Sequence, residues 1–389
     1  MFGNLKRLFI AGLGSMALAG CAVIPGGDSG SAGSGPAVSD SGSVSGPSAD
    51  VLPTDEQRHR VALLVPLSGR NAEVGQAIAN ATTMALLDTG AENLRITTYD
   101  TNRDAGDAAS RAVADGNKLI IGPLQRDNVG PVLVEARPAD IPLITFSNDT
   151  TVARNDVFVM GHVPEQSVER SARFAIAQGA RNFAALAPRG DYGNRTLAAL
   201  ERVLAEQNGR LVSVERYDRS NTSILSAADR LTQAGGFDTV VIADGARLSA
   251  MAAQRLKNPG DRQPSIIGTE LWSGEDALAR EATLRGAWFS AVPDNRYRQF
   301  AQSYSARFGN QPNHIAMLGY DAVLLTLRLT RDWRPGRVLP QNLLTDSGGF
   351  LGLEGPFRFH GNGVGERAFE VRQVGNGAFS IVDPAPQGF

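Results

Sequence analysis

The chain is nearly devoid of cysteine and of lysine. Cys21 is the one cysteine in 389 residues. No disulfide can therefore form within the chain, and stability has to come from packing. Lysine stands only at 6, 118 and 257, and arginine supplies nearly all the positive charge. With 38 basic against 40 acidic side chains and a net charge of −2, the sequence has no basic stripe. That balance argues against a nucleic-acid partner. No Gly-x-x-x-x-Gly-Lys phosphate loop occurs, and no Gly-x-Ser-x-Gly nucleophile elbow. Gly361-Asn-Gly363-Val-Gly365 is half a dinucleotide fingerprint. It lies between two predicted strands rather than before a helix, so it reads as a hairpin. His59, His162, His314 and His360 are scattered without ligand spacing, and no metal site is expected. Glu270 and Glu275 could be imagined as acid and base, but solvated helix caps explain such pairs better. Trp272, Trp288 and Trp333 could stack on sugars or, as aromatics more commonly do, fill cores and cleft walls. Neither a cofactor nor an enzymatic activity is expected.

What is present begins with residues 1–20, which read as a cleavable export leader rather than a fold element. Lys6 and Arg7 form its charged start. Leu8 to Ala19 form an apolar stretch too short for a permanent membrane span. Leu18-Ala-Gly-Cys21 matches the bacterial lipobox. The match implies a diacylglyceryl group on the Cys21 thiol, cleavage before it and acylation of the new amino end. Several acyl chains hold a protein on a bilayer far more firmly than one. An ordinary secretory signal with a stray cysteine is the bland alternative. Ala22 to Pro53 is rich in Gly, Ser, Ala and Pro. It cannot bury enough apolar surface to offset the entropy of ordering. It reads as a flexible tether, disordered through Gly26–Ser48, whose reach grows as the square root of its length.

From Arg60 the texture changes. Val61 to Val65 is a continuous apolar run, as in a strand buried on both faces. Val74, Ile78, Ala81 and Ala85 then fall on one helical face. The alternation predicts strands at 94–99, 119–121 and 143–146, with helices at 105–117 and 128–136. A second set places helices at 165–178, 196–207, 224–232 and 248–256. Its strands are at 183–187, 211–217, 239–243, 265–267 and 287–291. Helices at 297–308 and 315–330 follow. Strands at 357–360, 369–374 and 378–382 close the chain, with Gly-Asn-Gly hairpin signals at 361–363 and 375–377. The fold class is α/β, with two similar halves, each a parallel sheet covered by helices.

In open parallel sheets, ligands bind beyond the carboxyl ends of the strands. The residues following the predicted strands are thus the candidate cleft for a small polar ligand. They include Ser68, Gln125, Arg126, Ser147, Asn148, Thr150 and Thr151 from the first half. Tyr192, Glu270 and Trp272 come from the second. Loops are polar anyway, and that ordinary explanation weighs evenly against each residue singly. Arg126 could clasp a carboxylate in two-pronged fashion, or pair with Asp127 or Asp149.

Val61–Gly69 with Val74-Gly75, Ile120–Leu124, Ile141–Ser147 and Asp191-Tyr192-Gly193 together resemble the type I periplasmic binding proteins. Phe300–Tyr304, Phe308-Gly309, Pro312 and Gly319–Ala322 resemble that superfamily's return to its first lobe. The resemblance implies two hinged lobes joined by three crossovers, near Met160–Pro164, Arg285–Pro293 and Trp333–Leu343. The corresponding division is 1–20 leader, 21–57 lipidated tether, 58–160 plus 286–338 lobe 1, and 161–285 plus 339–389 lobe 2. More narrowly, the lipobox, the tether, Ser147-Asn-Asp, Val157–Gly161, Arg285–Phe289 and Gly349–Phe359 resemble the penicillin-binding protein activator lipoproteins. They look like the short alphaproteobacterial kind, with a tether where longer relatives carry a helical-repeat domain. This likeness implies a non-catalytic lipoprotein on the periplasmic face of the outer membrane, tethered through Cys21. Its partner would be a peptidoglycan-synthesising penicillin-binding protein. The alternative is a solute receptor of an ABC importer, with Arg126, Ser147 and Glu270 as ligand contacts. The leader makes a direct prediction: intact mass spectrometry of the membrane fraction should find residue 21 triacylated. Cys21→Ser should leave an unacylated, uncleaved chain; an unmodified wild-type sulfur would refute the reading.

Overall fold

The computed structural model describes residues 57–220, 222–257 and 263–389. The leader, Cys21 and the tether up to residue 56 lie outside the described residues. Among those described, no helix is long and apolar enough to cross a membrane.

The first lobe begins β1 (His59–Val65), α1 (Ala72–Thr89), β2 (Leu94–Asp100), α2 (Ala105–Ala114) and β3 (Leu119–Ile121). It continues with α3 (Val129–Ala136), β4 (Leu143–Thr145) and β5 (Val157–Val159). Its five strands are all parallel, in the order β2-β1-β3-β4-β5. Side chains alternate between the faces of the sheet. Val61, Leu63 and Val65 join one core with Ile78, while Ala62 and Leu64 join another with Ala105, Ala108 and Val132. Both faces are thus apolar, which is why β1 reads as an unbroken run.

The second lobe holds α4 (Pro164–Ala177), β6 (Asn182–Pro188), α5 (Asp191–Glu206), β7 (Arg210–Tyr217) and α6 (Ser223–Ala234). Then come β8 (Thr239–Ile242), α7 (Ala246–Leu256), β9 (Ser265–Ile267) and β10 (Trp288–Ala291). Its parallel part runs β7-β6-β8-β9-β10, the same strand order as the first sheet. The chain then returns to the first lobe through α8 (Tyr297–Phe308) and α9 (Met317–Leu329). Leu318 and Leu325 of α9 share the core of Val61 and Ile78. A small antiparallel sheet follows, β11 (Phe350–Gly352), β12 (Gly355–Phe359) and β13 (Gly365–Arg367). The chain ends with β14 (Glu370–Val374) and β15 (Phe379–Asp383), antiparallel at the edge of the second sheet.

This tracing moves the expected lobe boundaries. Trp288–Ala291 belongs to the second sheet, because Trp288 pairs with Ile267 on one side and Gln373 on the other. The second lobe therefore runs on through residue 291 rather than ending at 285, and the chain leaves it at the close of the expected crossing Arg285–Pro293. Residues 339–367 side with the first lobe. Leu339, Leu344, Phe350, Phe357 and Phe359 all sink into the core of Val61, and Val159 bridges to Val364. The third crossing falls between β13 and β14 rather than at 333–343. Three short strands, β5, β11 and β13, were not expected. At three residues each they offer no readable period.

One close contact recurs in both lobes. An alanine Cβ at Gly75 of α1 would sit 1.8 Å from the Pro66 carbonyl oxygen. At Gly193 of α5 it would sit 1.9 Å from that of Pro188. Each glycine lets the helix that follows a lobe's first strand dock on the residue ending or following that strand. Gly75→Ala and Gly193→Ala should each lower stability by about 1–3 kcal/mol, seen as a lower urea midpoint at unchanged m-value. Gly130→Ala, with open space around its α3 site, should be neutral or stabilising by up to about 1 kcal/mol.

Candidate functional site

The loops after β3 and β4 meet the start of α5 across a cleft, and ion pairs close it. Arg126 Nη1 lies 2.7 Å from Asp149 Oδ2 in its own lobe and 2.9 Å from Asp191 Oδ2 in the other. From α5, Arg195 grips Glu165 with Nε and Nη2, both at 2.7 Å. The same Nη2 donates to the Asn148 carbonyl at 2.6 Å, and Nη1 stands 3.7 Å from Asp149 Oδ1. Thr150 Oγ1 donates to Glu165 Oε1 at 3.2 Å. Asp149, only 4% exposed, thus sits between two guanidinium groups from opposite lobes. Burial pushes its carboxyl up, but hydrogen bonds from Thr151 and the two arginines outweigh that and hold it below the usual range.

Beside this latch is a cavity of about 320 Å³. Leu124, Phe146, Leu271, Val292 and Ile315 supply its apolar wall. Its polar wall is Asn148, His162, Glu270, Ser273, His314 and Glu354. Glu270 is 8% exposed. Its Oε1 accepts from the Tyr192 hydroxyl at 3.0 Å, and Thr269 Oγ1 is 2.9 Å from that same hydroxyl. Tyr192 has one proton, so Thr269 donates to it while it donates to Glu270. Oε2 of Glu270 has no protein partner. Burial pushes this carboxyl up to about 7.

Behind the cavity a buried ion cluster sits where the crossings meet. His162 Nε2 is 2.8 Å from Glu354 Oε2. Arg367 Nη1 is 3.1 Å from Glu354 and 3.6 Å from Asp321. Its Nε and Nη2 donate to the Met160 carbonyl at 3.2 and 3.1 Å. Burial and the neighbouring Glu354 charge push Asp321 up to about 7. Glu354 is held below the usual range, because His162 and Arg367 outweigh its burial.

Of the residues expected to line a cleft, Asn148 and Glu270 do, and Tyr192 supports Glu270. Arg126 is spent on the latch. Thr150 joins the latch, Thr151 Oγ1 donates to Asp149 Oδ1 at 2.7 Å, and Ser147 Oγ accepts from the Asp149 amide. Ser68 donates to Asp100 at the end of the neighbouring strand β2, and Gln125 is exposed on the surface. Trp272 is not a cleft residue. It is fully buried in the second lobe, with Nε1 donating to the Asp244 carbonyl at 2.9 Å. Trp333 is likewise core, and Trp288 packs edge-on to Phe174 at 5.3 Å. Sequence reasoning missed Arg195, Glu165, His162, Glu354 and Arg367. One signal was available: Asp321 is an acid within an otherwise apolar helical stripe.

Two α/β lobes of identical strand order, three crossings and a lined cavity between them define a two-lobed binding protein. The sequence profile of the periplasmic binding protein family matches residues 59–378, and the chain belongs to that family. An uncharacterized protein of Rickettsia prowazekii is 23% identical over 345 residues, covering 84% of this chain and 90% of that one. The penicillin-binding protein activator LpoA of Mannheimia succiniciproducens is 25% identical over 246 residues. That match takes in 62% of this chain but only 42% of LpoA. Among solved structures, a putative branched-chain amino acid ABC transporter protein from Rhodospirillum rubrum superposes with a TM-score of 0.73 at 17% identity. The superposition covers 84% of this chain and all of that one.

The carboxyl of Glu270 sets a pH dependence. Its native pKa of about 7 lies above the ordinary 4.5. The native state therefore keeps a proton that the unfolded chain loses, and stability falls as pH rises through that window. Glu270→Gln should remove this fall. It should match wild type near pH 5 and exceed it by up to about 3 kcal/mol at pH 8 in urea unfolding.

Proposed function

We propose that the chain is a non-catalytic, membrane-tethered protein that binds and activates a peptidoglycan-synthesising penicillin-binding protein. The observation that carries this reading is the latch. Across the lobes Arg126 pairs with Asp191 and Arg195 with Asp149, while Arg195 also donates to the Asn148 carbonyl and Thr150 to Glu165, so the protein's own groups hold the lobes together. A surface spanning both lobes is thereby preformed, as a protein-docking scaffold requires. The match to LpoA activators supports the same reading. Activation then follows from tighter binding to the active state of the synthase than to the inactive one. The acylated Cys21 would place the domain on the periplasmic face of the outer membrane. Ala22, in place of an aspartate after the lipidated residue, agrees with that destination.

The second reading is a solute receptor of an importer. The cavity and the free Oε2 of Glu270 favour it. Against it, Arg126 is already engaged and cannot clasp a ligand carboxylate.

The two readings separate in one experiment. Surface plasmon resonance with the mature chain and a bifunctional synthase from the same cell should show binding with no small ligand present. Synthase turnover should rise in parallel. Arg126→Ala should loosen the latch, seen as a larger radius of gyration in X-ray scattering, and weaken that binding. No synthase binding together with tight amino-acid binding in calorimetry would reverse the choice.

A further inference from the structure

We infer that the end of the first lobe opposite the cleft is a docking face for an anionic lipid bilayer, led by Arg331, Arg334 and Arg337. The inference rests on the membrane tether of the proposed function and does not need the synthase. The cleft lies beyond the carboxyl ends of the parallel strands, so this face lies at their amino ends, where β1 starts at His59.

Its first ground is a built turn. Past α9 the chain reads Arg331-Asp-Trp-Arg-Pro-Gly-Arg337. Pro335 and Gly336, the latter at φ 73°, stand at the centre of a type II turn. The Arg337 amide closes it on the Arg334 carbonyl at 3.2 Å. Trp333, only 2% exposed, holds the turn in place. Its Nε1 donates to the Arg337 carbonyl at 2.8 Å, and its ring lies against His59 with centroids 4.4 Å apart. The turn is thus pinned to the first residue of β1, while the three arginines and Val338 stay exposed.

The second ground is unanswered charge. Among the described residues, no acid pairs with Arg331, Arg334 or Arg337, whereas exposed arginines such as Arg137 and Arg307 each meet an aspartate. Asp332, the acid between them, turns to Arg328 at 3.4 Å. Two more cations stand on the adjoining strand starts: the Lys118 amide donates to the Arg60 carbonyl at 2.9 Å. Arg60 itself donates to the Asp115 carbonyl rather than to a carboxylate. Of the acids at this end, Asp115 already accepts from the Tyr99 hydroxyl at 2.7 Å, and Glu92 is exposed. Lipid phosphates match the fork of a guanidinium group.

The third ground is position. Only 36 residues, 21–56, separate the lipidation site from the described chain. A Gly/Ser-rich coil of that length has a reach of about 30–36 Å. The chain enters the domain at β1, so the face around His59 is the part of the domain kept nearest the bilayer. Tethering makes the encounter intramolecular, and a patch of modest strength then suffices.

Co-sedimentation with lipid vesicles tests this on the mature chain, made without its leader so that Cys21 stays unacylated. Vesicles with about 30% phosphatidylglycerol in phosphatidylcholine should pull the protein down, and pure phosphatidylcholine should not. Binding should weaken at least about tenfold between about 0.05 M and about 0.3 M salt. Arg331→Gln, Arg334→Gln and Arg337→Gln combined should cut it at least about tenfold, since each arginine near such a surface counts for about fivefold. The urea midpoint should not move, because all three side chains are exposed. A control that removes the same charge from the second lobe, Arg210→Gln with Arg247→Gln and Arg280→Gln, should bind as the wild type does. Equal binding to both kinds of vesicle, an equal loss in the control or no vesicle binding at all would overturn the inference. So would loss of synthase binding in the turn variant with vesicle binding retained, which would assign the turn to a protein partner. A wild type that binds no synthase in the absence of lipid leaves the vesicle result untouched.

Discussion

The arrangement of this molecule turns on the burial of one carboxylate. Asp149 lies in the loop that follows β4 of the first lobe and is almost out of water, which costs free energy unless cations answer it. Arg126 answers from its own lobe and Arg195 from the other. The second answer forces α5 to stay close, and Glu165 and the Asn148 carbonyl then fill the remaining donors of Arg195. The two arms differ in weight. Arg126 is nearly half exposed and screened by water, so its pair with Asp191 contributes about 1 kcal/mol at most. Arg195 is largely buried, so removing it would leave the Glu165 carboxylate without its cation, at a cost of about 3 kcal/mol.

The lobes were legible because their strands are buried on both faces. Val61–Val65, Phe183–Ala187 and Val240–Ala243 are continuous apolar runs, and the helices between them carry a readable stripe. Asp191-Tyr192-Gly193 marked the start of α5 even though periodicity begins only at Thr196. Tyr192 and Glu270 could be placed at a cleft from topology alone, because parallel sheets put their functional loops at one end. The latch was not legible. Arg126 had Asp127 and Asp149 as partners by sequence, and only folding brings Asp191 of the other lobe to it as well. Trp272 misled for a related reason: position in a loop says nothing about which way a large ring turns, and here it turns into the core.

The misplaced boundaries have a common cause. Phe357 and Phe359 sit in a short strand whose alternation announces one buried face but not whose core will bury it, and Phe350 sits in one too short to be read. The parallel lobe sheets could be recognised from sequence because strands and helices alternate along the chain. An appended antiparallel sheet obeys no such rule. It lies where its three phenylalanines find apolar surface, and that surface is made by β1 and α9 of the first lobe. Glu354 and Arg367 travel with that sheet, so the buried ions behind the cavity depend on the same placement.

The position of β1 has a mechanical consequence. It begins two residues after the first described position and is sandwiched between β2 and β3, both parallel to it. Tension applied to the chain ahead of His59 would be drawn along the strand axis. Seven pairings on one side and three on the other would then bear the load together in shear, rather than peeling apart one after another. A strand in the middle of a sheet is a sturdier attachment point than one at its rim, and the segment leading back to residue 21 joins the body there.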